Sequence, residues 1–152
     1  KILDWALKDS RINREMIIMT GNSGGGVLTA YTSALDERIK VSLPSCSFTS
    51  ITSNTGYIFH CDCCAIPGIK DWGDFRDLGG LIAPRSLLIV HGIKDGLHSK
   101  IDVEKTTDAI KEIYSDRKAS DKMSMRWGKS GHQFYPDIMW PFIQKALAGI
   151  SK

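Results

Sequence analysis

The sequence predicts an α/β fold: a mostly parallel sheet of about four strands between two helical layers. Three observations carry this. An apolar stretch, Ile17-Ile18-Met19, runs through a glycine-rich bend into a helical pattern that continues to Leu35. Ser86-Leu87-Leu88-Ile89-Val90-His91 is a short unbroken apolar run, the pattern of a parallel strand covered on both faces. Extended and helical segments alternate along the chain, as a sheet built from βαβ units requires. At 152 residues a single domain, 1–152, with a sizeable core is expected.

Taken in order, Asp4-Trp5-Ala6-Leu7 reads as a short helix, and residues 15–20 as the first strand. The helix that follows contains Leu28, Ala30 and Leu35, and a second strand spans residues 39–43. Residues 49–81 read as a loop-and-helix segment ahead of the third strand at 86–91. Val103, Thr106, Thr107, Ile110 and Ile113 fall at helical spacing. Residues 122–127 alternate apolar and polar as a fourth strand, and a last helix covers about 136–148.

The first bend is the informative one. Gly21-x-Ser23-x-Gly25, placed between a strand and a helix, has the form of a nucleophile elbow, in which a serine is held exposed on a strained turn. Gly24, Gly25 and Gly26 open the helix, and each would cost roughly 1 kcal/mol relative to alanine in an ordinary helix interior. A crowded strand-to-helix turn accounts for them, because residues without side chains let backbones approach. The plainer alternative is a glycine-rich loop with an incidental serine.

An elbow serine needs a base and an acid, and in this arrangement they follow in the order acid, then histidine. Asp95 lies in Gly92-Ile93-Lys94-Asp95-Gly96, just past the third strand. His132 lies in Gly128-Lys129-Ser130-Gly131-His132-Gln133-Phe134, just past the fourth. Ligands and catalytic groups of open α/β sheets gather at the carboxyl ends of strands. A serine hydroxyl is a weak nucleophile and needs a neighbouring base to take its proton, the role open to His132. Asp95 would fix the imidazole tautomer and stabilise the imidazolium. Each also has a bland reading: His132 as a solvated loop residue, Asp95 as the shaper of a Lys-Asp-Gly turn. Asp102 is the reserve acid but reads more readily as a helix cap. His60, His91 and His98 do not follow the last strand.

Several blocks together resemble the α/β-hydrolase superfamily, and within it the bacterial acetyl xylan esterase-like group related to dienelactone hydrolases. They are Thr20-Gly21-Asn22-Ser23-Gly24-Gly25-Gly26, Leu35-Asp36-Glu37-Arg38-Ile39-Lys40, His60-Cys61-Asp62-Cys63, Leu81-Ile82-Ala83-Pro84-Arg85-Ser86-Leu87-Leu88, His91-Gly92-x-x-Asp95 and Gly131-His132-Gln133-Phe134-Tyr135. The resemblance implies a three-layer α/β/α hydrolase fold with Ser23 as nucleophile, Asp95 as acid and His132 as base. It implies an elbow of Gly21, Asn22 and Gly25, and the backbone N–H of Gly24 as one oxyanion donor. It implies a serine esterase with no cofactor and no metal, acting on short acyl esters such as acetylated polysaccharide. A prolyl-oligopeptidase-type peptidase and a catalytically inactive hydrolase fragment or interaction module are the alternatives. Such domains carry further strands, and the loop with a second oxyanion donor, ahead of the elbow strand. The chain is therefore expected to correspond to the C-terminal portion of the domain. Its elbow strand would then be an exposed apolar edge through which two copies can pair.

Composition sets bounds. A net charge of +3, with lysine and arginine dispersed, gives no nucleic-acid footprint. No apolar run approaches the roughly 18 residues of a membrane span, and no compartment is assigned. His60-Cys61-Asp62-Cys63-Cys64 is dense in metal-ligating types, but zinc sites usually combine two spaced clusters and no second one follows. Free thiols are expected there; a disulfide from Cys46 to Cys61 or Cys63 is the alternative in an exported protein. Phe48, Tyr57, Phe59, Trp72 and Phe75 supply aromatic surface for either core or substrate contact. Trp127, Phe134, Tyr135, Trp140 and Phe142 are expected mostly to pack the last helix, with one or two lining a pocket.

Overall fold

The computed structural model describes residues 1–51 and 66–150. Four parallel strands, β1 (Ile17–Asn22), β2 (Ile39–Ser45), β3 (Ser86–Gly92) and β4 (Met123–Gly128), form one sheet in the order β1-β2-β3-β4. The helices are α1 (Ile2–Ala6), α2 (Gly24–Leu35), α3 (Ile69–Trp72), α4 (Phe75–Ile82), α5 (Lys100–Asp116) and α6 (Pro136–Ile150). The first strand begins two residues later than the expected start at residue 15. Arg14–Met16 is a 3-10 turn, capped by the Asn13 side chain accepting the Glu15 N–H at 3.0 Å. The second strand runs on through Pro44 to Ser45, with Pro44 in register against Gly21.

Side-chain alternation divides β3 between two cores. Leu87 and Ile89 join Val27 and Ala30 of α2, Phe75, Leu78 and Ile82 of α4, and Ile110 and Tyr114 of α5. Leu88 and Val90 face the other way, with Val41 and Leu43 of β2 and Met139 and Ile143 of α6. The result is three layers, α2, α4 and α5 on one face and α6 on the other. Arg85 fastens the end of the sheet opposite the bend at Ser23. Its guanidinium donates to the carbonyls of Asp36 (3.1 Å), Ile39 (2.8 Å), Ser33 (2.7 Å) and Leu81 (3.1 Å). Those of Ser33 and Leu81 belong to the last turns of α2 and α4, which lack intrahelical partners.

Register fixes where the functional loops leave the sheet. Asn22 pairs with Ser45, Ser45 with Val90, and Val90 with Arg126, so the four strands end on one level row. Over that row α2 starts at close quarters. A Cβ on Gly21 would stand 2.3 Å from the Gly25 carbonyl oxygen, and one on Gly26 would stand 2.6 Å from the Ser45 carbonyl oxygen and 2.3 Å from Ser47 Oγ. At Gly25 a Cβ would meet nothing within 4 Å. Of the glycines ascribed to a crowded turn, Gly26 has no room for a side chain and Gly25 does. The close approaches are at Gly21 and Gly26, and Gly25 contributes its backbone.

Substitution separates these positions. Gly26→Ala is expected to lower stability by about 1–3 kcal/mol, because a fixed carbonyl stands in the way. Gly25→Ala is expected to be neutral or to add up to about 1 kcal/mol through helix propensity. Urea unfolding of the two variants checks this; equal losses would contradict the packing described.

Candidate active site

Ser23 is the N-cap of α2, at φ 56 and ψ −121, a conformation that non-glycine residues adopt at a cost of order 1–3 kcal/mol. Its N–H donates to the Ser45 carbonyl at 2.9 Å, and its own carbonyl accepts from Val27 N–H at 2.9 Å. A serine N-cap ordinarily spends its hydroxyl on the first turn of the helix. Here the side chain makes no capping bond. Next to it, Gly24 is the first helical residue, and its N–H belongs to the donors that a helix leaves without intrahelical partners.

The loops after β3 and β4 are stitched together. Ile93 N–H donates to the Gly128 carbonyl at 2.9 Å, and Lys94 N–H to the Ser130 carbonyl at 3.0 Å. The Tyr135 hydroxyl closes the second loop by donating to the Gly131 carbonyl at 2.6 Å. Asp95 and His132 therefore meet: His132 Nδ1 lies 2.9 Å from Asp95 Oδ2. With the Nδ1–H donating to the carboxylate, Nε2 carries the lone pair. That Nε2 is buried and has no hydrogen-bond partner among the described residues. The Asp95 carboxylate is 1% exposed. Burial alone would raise its pKa; the Leu97 N–H on Oδ1 at 3.0 Å and the contact with His132 outweigh it and hold the group below its ordinary value.

Two further histidines sit behind this pair. His98 Nδ1 is 3.6 Å from Asp95 Oδ2, and its ring packs edge-on against His91 at 5.3 Å. Nothing in the sequence beyond a spacing of three residues from Asp95 signals that His98 approaches the acid. Two overlapping sets, Cys46 with Asp95 and His132, and His91 with Asp95 and His98, bring donor atoms within 4.8 Å of one another. Either set could hold a metal only through Asp95, whose Oδ2 is already bonded by His132.

Other candidates fall elsewhere. Phe48 and Phe75 are not substrate contacts: they are buried, edge-to-face at 5.2 Å, in the core on the α4 side. Tyr135 is buried beside α6 with Phe142 packed against it, whereas Phe134 and Trp140 are exposed. Trp72 is exposed, and Trp127 packs near His91. Cys46 is a free, buried thiol. Asp102 is in the first turn of α5, but the cap is Ser99, whose hydroxyl accepts the Asp102 N–H. Tyr57, Phe59, His60, Cys61, Cys63 and Cys64 lie outside the described residues.

Comparison with known proteins places this geometry. No family model matches the sequence. A curated relative, "Putative hydrolase YtaP" of Bacillus subtilis (strain 168), is 28% identical over 138 residues, covering 86% of this chain and 44% of that protein. A family 15 carbohydrate esterase, a glucuronoyl esterase from Caldicellulosiruptor kristjansonii, superposes with a TM-score of 0.80 at 19% identity over 99% of this chain and 49% of its own. Methylesterase BT1017 superposes with a TM-score of 0.74 at 25% identity, over 99% of this chain and 33% of its own. The chain has an α/β-hydrolase fold, and it spans half or less of the length of these proteins.

Buried His91 ties stability to pH. Its Nε2 bonds the Phe48 carbonyl at 3.0 Å, and its pKa is pushed from 6.5 down to about 3. Burial is the main cause, with nearby His98 and His132 adding to it and Asp95 and the Phe48 carbonyl opposing it. Between these two values the unfolded chain binds a proton that the folded chain does not, so stability falls as pH falls from 6.5 towards 3. The slope from this group is at most about 1.4 kcal/mol per pH unit. His91→Gln is expected to flatten the stability profile across that window in urea titrations; parallel profiles would contradict the assignment.

Proposed function

We propose that the protein is a serine carboxylic-ester hydrolase working through Ser23, His132 and Asp95. The carrying observation is the part-buried His132–Asp95 bond of 2.9 Å, with Nε2 bonded by none of the described residues, at the same sheet end as a serine at φ 56. Ser23 Oγ attacks the acyl carbon while His132 Nε2 takes its proton. The tetrahedral oxyanion is stabilised by the Gly24 N–H and the positive end of α2. The intermediate collapses to an acyl-enzyme, and the imidazolium protonates the departing alcohol. Water, deprotonated by His132, then attacks the acyl carbon; the acid is released and Ser23 recovers its proton. Asp95, held ionised, favours the imidazolium in both steps.

The substrate class follows from the resemblance and is supported by neighbours named as esterases, two of them quoted above. It is a short acyl ester, with acetylated polysaccharide as the first candidate and glucuronoyl and methyl esters as the comparators those names suggest. Exposed Phe134, two residues from His132, is the aromatic surface best placed to meet it.

Fluorophosphonate labelling tests the reading. The adduct is expected on Ser23 alone, and Ser23→Ala is expected to abolish it, with kcat falling on the order of 10⁶-fold. An unmodified Ser23 at saturating probe overturns the assignment, and hydrolysis of aminoacyl amides without ester hydrolysis would make the protein a peptidase. Among the described residues β1 is also an edge of the sheet, with half-buried Ile17, Ile18 and Met19. We propose that two copies pair along it. Light scattering at a dimer mass is expected, and a monomer at all concentrations refutes it.

A further inference from the structure

We propose that Ser45 and Cys46, at the end of β2, are positioning residues that lock the nucleophile turn to the base loop; this rests on the triad proposed above. The Ser45 carbonyl accepts the N–H of Ser23 at 2.9 Å. The Ser45 hydroxyl donates to the carbonyl of Gln133, the residue after His132, at 3.2 Å. One residue thus holds the peptide of the nucleophile with its backbone and the loop of the base with its side chain.

Cys46 adds the third loop. Its N–H donates to the Val90 carbonyl at 2.8 Å, near the end of the strand that leads to Asp95. Its thiol donates to the same Gln133 carbonyl at 3.5 Å. Burial holds the thiol above its ordinary pKa, so it is protonated, and a donor, at neutral pH. Both residues are fully buried. Cys46 sits at φ 47, and it and Ser23 are two of only three non-glycine residues with positive φ among those described. Strained backbone of this kind persists where the surroundings over-determine it, and it clusters at functional sites. Neither residue is placed to react; their effect runs through His132 and Ser23.

Two readouts separate positioning from general stability: the rate of fluorophosphonate labelling, and the low-field proton resonance of the His132 Nδ1–H. Ser45→Ala is expected to slow labelling by about 10- to 100-fold, the cost of a small misplacement of reacting groups, and to shift or broaden that resonance. Ser42→Ala removes a buried hydroxyl from the same strand, one without a hydrogen bond among the described residues, and is expected to change neither. Labelling and proton resonance of Ser45→Ala indistinguishable from the unsubstituted protein would overturn the proposal. If Ser45→Ala does not fold, Cys46→Ala, which removes the second donor to the same carbonyl, carries the test by the same readouts. If the unsubstituted protein does not label, the triad reading fails. The resonance alone then decides the brace.

Discussion

Everything at the carboxyl end of the sheet depends on how closely α2 starts above the strand ends. Gly21 faces the Gly25 carbonyl, and Gly26 faces the Ser45 carbonyl, at distances that exclude a Cβ. The chain therefore turns from strand to helix with no intervening loop, and the residue between them takes the positive φ. A strain of order 1–3 kcal/mol at Ser23 persists because the packing of α2 on β1 and β2 leaves no other path. The same tightness holds the serine on a rigid element, as the proposed nucleophile would require.

The other loops are ordered by backbone pairing rather than by side-chain bulk. Parallel register brings Asn22, Ser45 and Val90 to one level, and the loops beyond β3 and β4 then pair with each other. Asp95 arrives buried and His132 arrives against it. A buried carboxylate stays ionised only if it is well bonded, and here the Leu97 N–H and the imidazole do the bonding. The residues between β2 and the core carry the adjustment: Cys46 accepts an unfavourable φ so that Ser45 and its neighbours reach both sides of the site.

Much of this was legible in the sequence. Residues 87–90 are apolar at every position because both faces of β3 are covered, and such a run has no competing helical period. Ser23, Asp95 and His132 could be picked out as candidates because each follows a strand in a fixed order, and the fold brings Asp95 and His132 into contact. Other features needed the structure. A proline normally marks a strand's limit, yet β2 continues through Pro44. The sequence ascribes one crowded turn to Gly24, Gly25 and Gly26 alike, whereas a Cβ is excluded at Gly26 and accommodated at Gly25, because motif spacing says nothing about which Cβ would meet the next strand. The approach of His98 to Asp95, and of Ser45 and Cys46 to Gln133, joins residues distant in sequence or turned by a loop, and no periodicity encodes it. Composition leaves Phe48 and Phe75 open between core and substrate contact, and in space they are core.

The most direct test of the triad is a crystal structure of the protein after reaction with a phosphonate probe. The account predicts a covalent bond from Ser23 Oγ to phosphorus, His132 Nε2 within hydrogen-bond reach of the adduct, Gly24 N–H on the phosphonyl oxygen, and the Asp95–His132 bond retained. A phosphonyl group on another residue, or an adduct on Ser23 with His132 turned away from it, would contradict it.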